Sequence, residues 1–249
     1  MEKSELVSAD EYKSLEREYV QAVLPITVAR HGELGERIGD IDREMLEAEV
    51  TLHRLKAEEH SSALMQLMGD LQTKTKQLIG QRAKLVHMRA LVQASSDDLK
   101  VQFGLLWGIP RIRKVWVAYE RLVYHTHPLF GKDHEKRWRR IGPFEISFDL
   151  RLPIRENFTW VNLDGRKDQW HGPPNIQEPN DAEYGVVSCA GDAQTVIDAA
   201  NQTYDYVSLV AFSVRYPECA GATNNDTIKR WNTINPALVP RWYIEQFGA

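Results

Sequence analysis

Three histidines fall close together, His125-x-His127 and His134, with Asp149 beyond them. Imidazole suits zinc or iron, and a catalytic metal commonly takes three protein ligands, so a metal-dependent enzyme is the chemistry such a group would serve. The spacing argues against it: no HExxH occurs, and His127 precedes Pro128 in an irregular stretch. Histidines at the surface or in packing are the simpler expectation, and no metal or other cofactor is assigned.

The same stretch is rich in cations. Arg111, Arg113, Lys114, Arg121, Lys132, Lys136, Arg137, Arg139 and Arg140 face only Glu120, Asp133 and Glu135, with Trp116, Tyr119, Tyr124 and Trp138 interleaved. Cations neutralise phosphates and aromatic rings stack on bases, so segment 111–140 is a candidate for binding single-stranded nucleic acid. The competing reading pairs these cations with acidic surface on this protein or a neighbour, or spreads them over a helix. Acidic flanks favour it: residues 1–103 carry 14 basic and 18 acidic side chains, 104–155 carry 11 and 5, and 156–249 carry 6 and 12.

Other chemistry finds little support. Cys189 with His171 would make a nucleophile and base, yet Cys189 ends an apolar run, a packing position. Asp164-Gly-Arg-Lys-Asp168 lacks the alternating oxygen ligands of a calcium loop and reads as a hairpin turn. GxGxxG, GxxxxGK[ST] and GxSxG are absent. Two cysteines, Cys189 and Cys219, read as reduced packing thiols rather than a disulfide framework.

The elements that would position these residues divide sharply. All seven tryptophans lie at or beyond Trp107, and no proline falls between Pro25 and Pro110. Proline in a helix interior costs about 3 kcal/mol, so the proline-free stretch permits long helices and the later density forbids them. Within it, Ile38, Met45 and Leu52 recur every seven residues beside Ile41, Ala48 and Leu55; Leu64, Leu71, Leu78, Leu85 and Val92 form a second row beside Leu67, Lys74, Gln81 and Met88. Two apolar rows at sevenfold spacing predict a coiled coil. The phase breaks across Glu58-Glu59-His60-Ser61-Ser62, where the chain either reverses into a helical hairpin, the preferred reading, or continues as one helix. A shorter helix is expected at Asp10–Val23, ended or kinked by Pro25, and Ser95–Asp98 marks a fresh helix start.

Beyond residue 142 the pattern is mixed. Phe144–Leu152 and Phe158–Leu163 alternate as strands, Tyr184–Cys189 reads as a short buried strand, and Tyr206–Tyr216 as the strongest strand of all. Asp192–Gln202 suits a helix capped by Asp192; Thr227–Thr233 and Pro240–Phe247 suit helical turns. Gly172–Asp181 is rich in proline and asparagine and reads as a loop.

The expected fold class is therefore α+β: a long-helix coiled coil or helical hairpin over 1–103, a basic aromatic connecting segment, helical in part, over 104–142, and a small mixed domain with an antiparallel sheet over 143–249. A net charge of −4 exerts no global pull toward nucleic acid or anionic membrane. No apolar run reaches the roughly 20 residues that span a bilayer, and the acid-bearing first 25 residues are no signal peptide, so a cytoplasmic protein, or one in a particle assembled there, is expected. The preferred function is a non-enzymatic structural or assembly protein within a larger complex, viral or phage particles included. It would oligomerise or pair with a protein partner through the seam Ile38, Ile41, Met45, Leu52, Leu55, Leu64, Leu67, Leu71, Leu78, Leu85, Met88 and Val92, and dock a partner through its C-terminal domain. Nucleic-acid binding and a histidine-bound metal enzyme are the alternatives.

Overall fold

A computed structural model describes residues 7–56, 62–151, 158–164, 176–177, 186–187, 194–223 and 233–247. The chain divides into two compact units, residues 25–94 and residues 1–24 with 95–249. Among the described residues, no helix is long and apolar enough to cross a membrane.

Helix α1 runs Ala9–Lys56 and continues through Pro25, where the sequence suggested an end or a kink. Proline removes one backbone hydrogen bond from a helix. The neighbouring turns outweigh that loss, since Val23 and Thr27 on either side are both fully buried.

In the unit of residues 25–94, α1 pairs with α2 (Ser62–Leu91) as an antiparallel hairpin. Leu34, Ile38 and Ile41 pack with Leu78, Leu85, Met88 and Val92, and half-buried Met45 joins them. Asp42 meets Arg82 at 2.5 Å and Glu44 meets Lys74 at 3.3 Å, while Gly35 faces Arg89. Numbers rise on α1 as they fall on α2, so the helices are antiparallel. Most of the expected phase break, residues 57–61, lies outside the described residues.

The other unit begins with the first turns of α1, whose Leu15, Tyr19 and Val23 are buried. They pack beside α3 (Ser96–Gly108), which starts where expected: the Asp98 amide donates to the Ser95 hydroxyl at 3.1 Å, capping the helix. Tyr12 and Tyr19 each lie 5.4 Å from the Phe103 ring. Next comes a four-stranded antiparallel sheet, in spatial order β1 (Ile112–Ala118), β2 (Arg121–Thr126), β5 (Phe144–Asp149) and β6 (Thr159–Asn162). A separate pair, β3 (Leu129–Lys132) and β4 (Trp138–Gly142), is inserted between β2 and β5. Segment 109–142 is thus built of strands, and only residues up to Gly108 extend the expected helical portion. β7 (Ile176–Gln177) and β8 (Val186–Val187) pair in a third small sheet, leaving most of the expected Tyr184–Cys189 strand and the Gly172–Asp181 loop outside the described residues.

Register fixes which side chains share a face. Leu122 stands opposite Phe148, Tyr124 opposite Ile146, and Ile146 opposite Trp160, and all five are buried. Helices α4 (Gln194–Thr203) and α5 (Tyr206–Thr223) complete this core. Asp192, the expected cap of α4, lies outside the described residues.

The segment Tyr206–Tyr216, expected as a strand, belongs to helix α5. Its buried residues Tyr206, Leu209, Val210, Ser213 and Val214 recur at three- and four-residue spacing, which only a helix brings to one face. Its valines favoured the strand reading. A cap preceding the run tells otherwise: Asp205 accepts from the Ser208 amide at 3.1 Å and from its hydroxyl at 2.6 Å.

Tyr206 joins several elements. Its ring stacks on Phe148 at 6.0 Å and meets Tyr19 edge-on at 6.4 Å, and its hydroxyl donates to the Leu150 carbonyl at 2.7 Å. Tyr19 in turn donates to the Gln102 side chain. Ser213 gives its proton to the Val210 carbonyl at 2.8 Å, so the buried Tyr124 hydroxyl must donate to Ser213. Burial pushes all three phenols above their ordinary range.

The last elements are a single 3₁₀ turn (Pro236–Leu238) and α6 (Arg241–Phe247), the latter as expected at Pro240–Phe247. Of the expected Thr227–Thr233 turn, residues 227–232 lie outside the described residues; Thr233 forms an isolated β-bridge with Arg139.

The β1–β2 connection is tight. Ala118 pairs with Arg121, leaving Tyr119 (φ 50°) and Glu120 (φ 60°) as a two-residue loop with both residues left-handed. Such loops favour glycine or asparagine, since a side chain at positive φ costs about 1–2 kcal/mol. Glu120 is anchored by Arg151 at 2.8 Å, whereas Tyr119 is 98% exposed. Tyr119→Gly is therefore expected to raise stability by about 1 kcal/mol in urea unfolding; an unchanged midpoint would refute the strain. Tyr19→Phe should lower it by about 1–3 kcal/mol, because the buried Gln102 oxygen loses its donor. Wild-type stability in that variant would mean the hydroxyl contributes nothing.

Candidate functional site

The three histidines do not converge. His125 stands on the sheet face opposite the α5 side, its Nε2 2.9 Å from Glu145 and its ring edge-on to Trp116 at 4.8 Å. His127 donates its backbone amide to the Arg111 carbonyl at 2.8 Å. His134 is exposed between β3 and β4, 3.6 Å from Glu135, and Asp149 accepts from the Arg151 amide at 2.7 Å. Among the described residues, no three His, Cys, Asp or Glu side chains form a metal-binding group. His171, Asp168 and Cys189 lie outside the described residues.

Most cations of segment 111–140 are taken up inside the chain. Lys114 meets Glu11 at 2.7 Å, Arg140 meets Asp164 at 2.7 Å, and Arg137 meets Glu135 at 2.5 Å. Arg121 donates to the Ser147 hydroxyl and carbonyl, each at 3.2 Å. Arg111 is buried with its guanidinium 5.4 Å over the Tyr243 ring, and Lys132 sits 4.9 Å over Trp138. Among the described residues, exposed Arg113 and Lys136 have no ion-pair partner. Two such cations give a small electrostatic footprint beside the several phosphate contacts of nucleic-acid binders.

The tightest of these arrangements was not anticipated as a site. The Asp133 carboxylate is fully buried and accepts from Arg139 at 2.8 and 3.1 Å, from Arg137 Nε at 2.9 Å and from the Arg137 amide at 2.9 Å. Burial alone would raise its pKa; the bonds from Arg139 and Arg137 overcome that and hold it well below the usual carboxylate range. The signal in the sequence was two acids, Asp133 and Glu135, among five cations over residues 132–140. Above it, Phe130, Trp138, Val239 and Tyr243 form a small core, and the Tyr243 hydroxyl bonds both the amide (3.0 Å) and the carbonyl (2.9 Å) of Phe130.

A shallow hollow of about 420 Å³ between α1 and the start of α3 is lined by Lys13, Arg17, Lys100 and Glu16 among others. Asp97 already neutralises Lys100 at 2.8 Å.

The helical seam residues fall into three groups. Ile38, Ile41, Leu78, Leu85, Met88 and Val92 are buried between α1 and α2; Met45, Leu52, Leu55, Leu64 and Leu71 are half-buried. Leu67 is 46% exposed, and Lys74 and Gln81 face solvent, so the companion row on α2 is not 67/74/81. Half-buried Met68 and Thr75 take that side instead, because an antiparallel partner shifts the contact line by one position. Leu34, seven residues before Ile41, is fully buried and belongs to the seam; its spacing was visible in the sequence.

Comparison with protein-family models, with curated proteins and with solved structures finds no match to this chain.

Asp133→Asn should destabilise the protein by about 3–5 kcal/mol, since Arg139 is left buried without its counter-charge. The depressed pKa also sets a pH dependence. The contribution of Asp133 is complete well above its unfolded value of 3.8 and is lost as pH falls below it toward the folded value. Urea unfolding followed by tryptophan fluorescence from pH 7 to pH 3 should show this loss in the wild type and less of it in the variant. Equal midpoints for the two proteins at pH 7 would rule the ion pair out as a stabiliser.

Proposed function

We propose that this chain is a non-enzymatic assembly protein whose α1–α2 hairpin associates with another helical surface, with the sheet-bearing unit carrying a further docking surface. The observation that carries the reading is the hairpin's unfinished burial. Its two helices cover one seam between them, yet Val28, Leu46, Val50, Met65, Leu67, Ile79 and Val86 remain exposed. Large apolar side chains gathered on one small element mark interaction surfaces, because water penalises leaving them bare. The commitment of the basic segment to internal carboxylates and rings is why nucleic acid is the weaker reading.

Sedimentation velocity of the labelled full chain, run alone and in a concentrated extract of its native host, tests the proposal. The expected result is a species heavier than the 28.6 kDa monomer in at least one condition. A monomer in both would end the assembly reading.

A further inference from the structure

We infer that the partner of the hairpin is a second copy of this chain, packed face to face across a twofold axis that passes beside the Asp42–Arg82 ion pair. This rests on the assembly reading and names its partner.

The exposed apolar residues are not scattered. Arg82 and Asp42, joined at 2.5 Å, mark one face of the hairpin, and Glu44–Lys74 marks the opposite face. On α2, Met65, Ile79 and Val86 share one heptad position, and Ile79 and Val86 lie three before and four after Arg82, on its face. On α1, Leu46 lies four after Asp42, with Gly39 three before and Gly35 seven before it, on the same face. Ile79 is 51% and Leu46 61% exposed, and beside Gly39 the space is open.

Polar groups on this face also await partners. The Arg89 guanidinium lies over Gly35, where a Cβ would come within 3.2 Å of its Cζ. Its Nε is buried with no hydrogen-bond partner, and so is the Gln93 Oε1 four residues on. Glu49, seven residues after Asp42, is exposed and has no ion pair among the described residues. A buried donor left unpaired costs about 1–3 kcal/mol, which an incoming carboxylate would relieve.

One symmetry operation pairs these apolar side chains and offers Arg89 a carboxylate. An isologous contact places residue i on j and j on i. With α1 antiparallel to α1 of the other copy and centred on Asp42–Arg43, Leu46 of each copy fills the gap over Gly39 of the other. The same centring brings Glu49 level with residues 35–36 of the other copy, one helix step from Gly35 and within a side chain's reach of Arg89. On α2, Ile79 meets Val86 about a centre at Arg82–Ala83, which is where Asp42 already sits.

Light scattering on the full chain at tens of micromolar should give about twice 28.6 kDa. Ile79→Glu should return it to monomer with its helical circular dichroism intact, because Ile79 is exposed in the single chain. Glu49→Arg should weaken the dimer about tenfold, and adding Arg89→Glu should restore it. A monomer at every concentration overturns the second copy, and the extract experiment above then decides separately whether assembly with another protein stands. A dimer indifferent to Ile79→Glu overturns this face.

Discussion

Two helices can bury one stripe of each other and no more, because a helix lying on a single neighbour keeps most of its circumference in water. That geometric limit governs the hairpin. The side chains from Leu34 to Val92 close the inner stripe, and an ion pair bridges the two helices on either flank. A pair of helices held this way has no second layer, so every further apolar residue on it meets solvent or another molecule. The sheet-bearing unit escapes the limit: α5 covers its inner face, and strand register places one continuous set of rings beneath it.

Polar groups in that second core are handled differently from those in the hairpin. The phenols of Tyr19, Tyr124, Tyr206 and Tyr243 each find a partner in the fold. A buried hydroxyl so matched adds direction to packing that would otherwise be non-specific. Asp133 serves the β3–β4 pair in the same manner with full charge, drawing Arg139 inward, which sequence alone would have placed on the surface, while Arg137 reaches it from the exposed side.

How far this was legible depended on the kind of signal. Sevenfold spacing announced the long helices, and strict alternation announced Phe144–Asp149, because both are periodicities that burial imposes directly. The run Tyr206–Tyr216 misled because it is apolar at nearly every position; with no polar face to count from, valine content suggested a strand. The discriminating residue, Asp205, stands just outside the run. The basic segment misled differently. Its cations were visible, but their partners Glu11 and Asp164 lie far off in the chain, and no local pattern announces a pairing that folding creates. Leu67 is not covered by α1 in the single chain, because sevenfold spacing marks a row for burial without saying which neighbour covers it.

The double bond of Tyr243 to Phe130 has one more implication. Helix α6 has seven residues, too few to hold helical shape by itself in water, where about 12–15 are needed even for favourable sequences. Its order is borrowed from a strand more than a hundred positions earlier, through one phenol that occupies both backbone groups of a single residue. The stability of α6 is therefore tied to that of the β3–β4 ribbon, and whatever loosens the ribbon weakens α6 with it.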